Sequence, residues 1–203
     1  KENVLAVRVA NEGENSRWYS GSGIYRHVWL RVLEPVHVRQ WDIFITTPEI
    51  TASSALVHIR TTVVNSTDQP VTAEVVNSIL SPGNNPVATG KKTQVVAAHG
   101  EAEVSQFITV PSPELWSLES PDLYKAVTGV YLDNQLSNQT ETTFGIRSIT
   151  FDVTNGFQLN GKTVKLKGGC VHHDNGPLGA KAYDRAEERR VELLKASGYN
   201  AIR

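Results

Sequence analysis

The 203-residue chain has no methionine and a single cysteine, Cys170. One thiol cannot form an internal disulfide, and no CxxC pair is present to hold a metal. A chain without methionine does not start at a start codon, so a piece of something longer is expected. No apolar run approaches the roughly 18 residues that cross a bilayer. Lys1-Glu2-Asn3 leads straight into Val4-Leu5-Ala6-Val7, without the n-region or cleavage site of a signal peptide. An excess of one charge is missing too. The 20 Lys and Arg against 21 Asp and Glu leave a net −1, which gives no electrostatic reason to expect nucleic acid. Within the chain, 36–147 carries 6 basic and 11 acidic residues and 148–203 carries 9 and 6, a mild asymmetry that a solvated surface explains. Neither a nucleic-acid nor a membrane partner is expected.

What is present reads mostly as strand. Residues 3–10 alternate Val4 and Ala6 against Leu5, Val7 and Val9, and Tyr25 to Leu33 is a second β-rich run. Gly21 and Gly23 punctuate the loop between them. From about Val36 the pattern becomes regular. Trp41–Thr46, Ala55–Val64, Val71–Ile79, Thr93–Ala97, Ala102–Val110, Tyr124–Leu132 and Gln139–Ile146 make about seven short strands with turn chemistry between them. In the second of these, Val57, Ile59 and Val63 share one face and His58, Arg60 and Thr62 the other. Such spacing predicts an immunoglobulin-like β-sandwich in architecture, without the Cys–Trp–Cys signature.

After Phe144-Gly145-Ile146-Arg147 the character changes. Asn160-Gly161 is a two-residue hairpin signal between Phe151–Leu159 and Gly161–Leu166. Gly168-Gly169 leads into a polar loop, Val171 to Lys181. Asp184 with Glu187 spells a capping box, and the helix it opens carries Ala186, Leu193 and Leu194 on one face. Ser197-Gly198 ends that helix, and Asn200-Ala201-Ile202-Arg203 begins a strand. Strand, loop, helix and strand predict one βαβ unit of a parallel sheet. A barrel of eight such units needs about 250 residues, so the chain is expected to hold only its beginning.

Several motifs, in order, resemble glycoside hydrolase family 2. Residues 18–30, Trp-Tyr-Ser-Gly-Ser-Gly-Ile-Tyr-Arg-His-Val-Trp-Leu, look like the close of that family's sugar-binding jelly roll. Leu115-Trp116-Ser117 with Ser120-Pro121-Asp122-Leu123-Tyr124 resembles its crossover into the penultimate sandwich strand, and Phe144-Gly145-Ile146-Arg147 its junction with the catalytic barrel. Leu159-Asn160-Gly161-Lys162, Leu166-Lys167-Gly168-Gly169 and His172-His173-Asp174 resemble barrel strand one and its loop, and Gly198 to Arg203 strand two. The resemblance implies a mainly β chain in three parts: 1–35 as a jelly-roll remnant, 36–147 as the sandwich, and 148–203 as the first βαβ portion of a truncated (β/α)8 barrel. The spelling looks most like the β-galactosidases.

The family implies retaining hydrolysis of a β-glycosidic bond by two glutamates, about 5–5.5 Å apart. Both belong to later barrel strands, so no catalytic residue is expected in this chain, which should be inactive by itself. Glu187 and Glu188 are no substitute, because residues i and i+1 on a helix do not face each other. His172 matches a sugar-contacting histidine of the family, His173 and Asp174 share its loop, and Arg203 matches an arginine supporting the carboxylate cluster. These four are the candidate substrate-binding residues. The commoner family spelling has Asn and Glu where this chain has Cys170 and His173. Read alone, His-His-Asp is equally a surface loop or a chance metal site with too few ligands; no metal and no cofactor are expected.

Bland readings cover the rest. Trp41 and Trp116 read as packing or interdomain contacts and not as a sugar platform. Trp18 and Tyr19 read as packing, and Cys170 as a small buried apolar residue. Lys91-Lys92 reads as a solvated turn, the Arg185, Arg189 and Arg190 run as an exposed charged face, and Asn65-Ser66-Thr67 and Asn138-Gln139-Thr140 as chance glycosylation triplets. Two functions stand: a fragment of a β-galactosidase-like hydrolase acting on a β-galactoside, or a free-standing β-sandwich that binds carbohydrate or protein. The first carries the expectation that the isolated chain neither binds nor turns over sugar. Self-association through the strand edges of the truncated ends and a secreted or periplasmic home, by family habit, are also expected.

Overall fold

The computed structural model describes residues 4–10, 12, 23–172 and 175–203. The chain forms two compact units, 31–165 and 1–30 with 166–203. Among the described residues no helix is long and apolar enough to cross a membrane.

The 31–165 unit contains seven long strands, β1 (Val36–Ile50), β2 (Ser54–Asn65), β3 (Val71–Leu80), β4 (Pro86–Val96), β5 (Gly100–Pro111), β6 (Tyr124–Leu132) and β7 (Gln135–Phe144). They form two antiparallel sheets, ordered β1-β2-β5 and β4-β3-β6-β7. The period-two pattern is the cause. On β2, Ala55, Val57, Ile59, Thr61, Val63 and Asn65 all point inward and are buried, while the residues between them face out. The inner faces meet in two apolar clusters, one around Ile59, Ile79, Ile108 and Tyr124, the other around Val63, Val75, Val104 and Val130. Between them runs a buried polar row contributed by four strands: Thr61, Asn77, Gln106 and Thr128. Thr128 Oγ1 donates to Asn77 Oδ1 at 2.5 Å and Gln106 Nε2 to the Val75 carbonyl at 3.1 Å.

Several expectations change. Residues 4–10 and 23–33 form no strand, and Val4, Leu5, Leu30 and Val32 are more than four-fifths exposed. Alternation alone does not make a strand without a partner to take its N–H and C=O groups. Lys91-Lys92 is no turn but the middle of β4, paired with Val76 and Val75, and Lys91 Nζ lies 3.4 Å from Glu74. Asn65 is fully buried, its Nδ2 donating to the carbonyls of Gln69, Val96 and Ala97, so its amide is committed inside the fold.

Beyond the sandwich, β8 (Ile149–Asp152), β9 (Gly156–Leu159) and β10 (Lys162–Thr163) form a small sheet of their own. The Asn160-Gly161 turn is present, with φ of 50° and 74°, the left-handed pair that a type I′ hairpin requires. The run 151–159, expected as one strand, is broken by a second turn. There the Asn155 and Thr154 N–H groups donate to Asp152 Oδ1 at 2.7 and 2.8 Å and hold its carboxyl below the usual carboxylate range.

The second unit holds β11 (Gly168–Gly169), the short 3-10 turn Gly176–Leu178, helix α1 (Asp184–Ala196) and β12 (Ala201–Ile202). β11 and β12 are parallel, Gly168 opposite Ala201 and Gly169 opposite Ile202, so the expected strand–helix–strand unit is formed. The capping box is not. Tyr183 is the N-cap, with no side-chain cap bond; Asp184 is the first helical residue and its Oδ1 lies 3.1 Å from His27 Nε2. Gly198, with φ 85°, closes the helix as expected. No residue of α1 is buried.

Candidate functional site

The parallel pair sets the geometry of the candidate site. Arg203 N–H donates to the Gly169 carbonyl at 3.0 Å and Val171 N–H to the Arg203 carbonyl at 2.8 Å. Two strands running the same way thus deliver Cys170-Val171-His172 and Arg203 to one end, the C-terminal end of both. Arg203 Nη1 reaches Cys170 Sγ at 3.7 Å. Cys170 is exposed, just past the end of β11, which corrects its reading as a buried apolar residue.

A cleft of about 200 Å³ opens beside this end, with Tyr25, Arg26, His172, Asn175, Glu187 and Arg190 among its lining residues. Arg190 organises it. Its Nη1 donates to the His172 carbonyl at 3.0 Å, its Nη2 bonds Asn175 Oδ1, and it pairs with Glu187, one helical turn back, at 3.4 Å. Asn175 Nδ2 in turn donates to Glu187 Oε1 and to the Lys181 carbonyl, both at 3.1 Å. The first two turns of α1 therefore hold this loop at His172 and Asn175, and Asn175 ties it to Lys181. Arg190 is not part of the open charged face expected of it, since its side chain is only 21% exposed. Arg185 does fit that face, bridging Glu192 at 2.7 Å and Glu188 at 3.3 Å.

Of the predicted site residues, the structure places His172 and Arg203 at the same strand end; His173 and Asp174 lie outside the described residues. The adjacent acids do not act together, because Glu187 turns to Arg190 and Asn175 and Glu188 to Arg185. Among the described residues no three His, Cys, Asp or Glu side chains gather as a metal site. Asn175 and Arg190 were missed from sequence. Their signal was the spacing Glu187–Arg190, an i,i+3 pair in the first turns of a helix that follows a loop.

The family model of glycosyl hydrolases family 2 matches residues 36–147. The chain belongs to glycosyl hydrolase family 2. This family-2 chain is 41% identical over 202 residues to the beta-galactosidase BoGH2A of Bacteroides ovatus, covering 99% of the chain and 24% of that protein. It is 36% identical over 207 residues to a putative beta-glucuronidase of Formosa agariphila, covering all of the chain and 19% of that protein. Among solved structures, a family-2 member from Bacteroides cellulosilyticus superposes with a TM-score of 0.89 at 45% identity, over 96% of this chain and 27% of that one. A beta-glucuronidase of Bacteroides uniformis gives 0.85 at 32%, over 96% and 25%. The family-2 chain thus spans about a quarter of the length of the relatives it matches.

Proposed function

We propose that this chain is the central portion of a retaining β-glycoside hydrolase of the β-galactosidase type. In this reading 1–35 ends a jelly roll, 36–147 is a spacing sandwich, and 148–203 begins a catalytic barrel whose later strands supply both glutamates. One glutamate attacks the anomeric carbon and the other protonates the leaving oxygen, then activates water. The chain's own contribution is contact: His172 to a sugar hydroxyl in the subsite of cleavage, Arg203 to the carboxylate cluster. The observation that carries this reading is the parallel strand–helix–strand unit that presents His172 and Arg203 at one C-terminal strand end, where active sites of barrel folds gather. The 41% identical relative named a beta-galactosidase supports that specificity over a glucuronidase. The half-exposed apolar residues of the small unit, such as Val191 and Leu193 on α1, support a larger protein around it.

The test is hydrolysis of 4-nitrophenyl β-galactoside and β-glucuronide, by the 203-residue chain and by its longer parent protein. The chain alone should show no turnover, and the parent should prefer the galactoside. His172→Ala in the parent should lower kcat/KM by roughly 10- to 100-fold, the value of one polar contact of about 1.5–3 kcal/mol. Turnover by the pure 203-residue chain would overturn the placement of the carboxylates, and preference for the glucuronide would overturn the specificity.

A further inference from the structure

Trp41 is 93% exposed, although it sits within β1 between the buried Val38 and the half-buried Ile43. The cause is a large bulge. Val38 pairs with Val63 and Ile43 with Thr61, so five steps along β1 match only two along β2. The three surplus residues loop outward and Trp41 takes φ 60°, a left-handed conformation that bulky side chains rarely adopt. Its reading as sandwich packing is therefore corrected, which leaves an interdomain contact or a saccharide platform for the exposed indole. Backbone strain and an uncovered indole are two separate costs to the fold, and bulges serve to re-aim a side chain.

Beside the indole lies a cleft of about 340 Å³ in the seam between β1 and β7, within the roughly 300–1,000 Å³ of small-ligand sites. Arg31, Arg39, Trp41, Asp42, Glu141 and Thr142 line it. Arg39 is held in place by Glu101, 3.1 Å away. The lining holds two guanidinium and two carboxylate groups, and Glu101 adds a third carboxylate beside Arg39, so the cleft offers no net attraction to a phosphate; among the described residues no three His, Cys, Asp or Glu side chains gather to hold a metal ion. It offers instead several donors and acceptors beside a flat aromatic face. A protein-docking centre would be depleted of charge, which this cleft is not.

We propose that the Trp41 bulge and its cleft form a binding subsite for a neutral pyranoside, the C–H face of the sugar on the indole and its hydroxyls on the charged side chains that line the cleft. The subsite stands on the sandwich alone; saturable binding would overturn the expectation that the isolated chain binds no sugar, while the hydrolase reading is tested separately by turnover. Its test is titration of the 203-residue chain with methyl β-galactoside, methyl β-glucoside and glucuronate, following indole fluorescence and the Trp41 Nε1–H resonance. Saturable shifts of Trp41 with a Kd of roughly 1–10 mM for a neutral glycoside are expected, a weak interaction by the usual scale. Trp41→Gly should abolish binding, read as loss of saturation transfer to the protons of methyl β-galactoside, while raising Tm by about 2–4 °C, because glycine removes the φ strain. Glu141→Gln should weaken binding severalfold with Tm unchanged. No saturation by either neutral glycoside at ~50 mM would overturn the proposal. So would glucuronate binding more tightly than both, a Trp41 resonance that moves with protein concentration in the absence of sugar and so marks a protein interface, or loss of cooperative folding in Trp41→Gly.

Discussion

Tyr124 opens β6 at 2% exposure, and its hydroxyl oxygen accepts the Glu114 N–H at 2.8 Å across the crossover that enters the strand. This is the corner tyrosine that immunoglobulin-like sandwiches use to pin such a crossover. Burial pushes its hydroxyl pKa up; the Glu114 N–H bond works against this, and the nearby charges of Glu114 and Asp122 add to it. The folded state thus holds the phenol proton more tightly than the unfolded chain, whose tyrosines ionise near 10. Tyr124 therefore stabilises the fold below pH 10, and that contribution fades as pH rises through the folded pKa. Tyr124→Phe should cost about 1 kcal/mol at pH 8. The gap between variant and parent in urea denaturation should narrow above pH 10. A gap that stays constant or widens would show that the proton is not held as described.

At the scale of elements, the strand–helix–strand unit is held at its narrowest point by Gly168. A Cβ there would run into the Ala201 carbonyl, with the Ala201 carbonyl carbon only 2.8 Å away. Gly168→Ala should therefore prise β12 from β11 and release the Arg203 and Val171 N–H bonds. Amide exchange at those two residues should rise at least ~10-fold, since opening that releases them becomes local, while β2 and β6 amides stay unchanged. Unaltered exchange at Arg203 would mean that the backbone shifts to make room.

How far the elements were legible follows from which forces set them. The inward alternation of Val57, Ile59 and Val63 is local, and so it was readable. The polar row at Thr61, Asn77, Gln106 and Thr128 was not, because a polar residue at an inward position looks like an interruption until its cross-strand partner is known. The capping box of Asp184 and Glu187 lost to His27, Arg190 and Asn175, contacts that a local motif does not report. The Trp41 bulge did leave a trace: apolar residues fall on even numbers at Val36 and Val38, then on odd ones at Ile43 and Ile45. A change of parity within one strand is what surplus residues produce. At the candidate site, His172 and Arg203 came from family resemblance, whereas Arg190 belongs to a tertiary clamp.

Across the whole molecule, stability is distributed unevenly. Among the described residues every buried hydrophobic one lies between Val36 and Leu159, inside the 31–165 unit, and α1 contributes none. Local opening needs little free energy where few apolar groups are buried, and approaches the global value where many are. In native-state hydrogen exchange, amides of β2, β3, β5 and β6 should therefore share one high protection level. Those of α1 should exchange at least ~100-fold faster, because fraying the helix exposes no core. If 148–203 begins a barrel within a longer protein, the same α1 amides there should rise to the level of a buried element, since neighbouring units would then cover Val191 and Leu193. Strong protection of α1 in the 203-residue chain would show that the small unit closes on itself, and the barrel reading would fall with it.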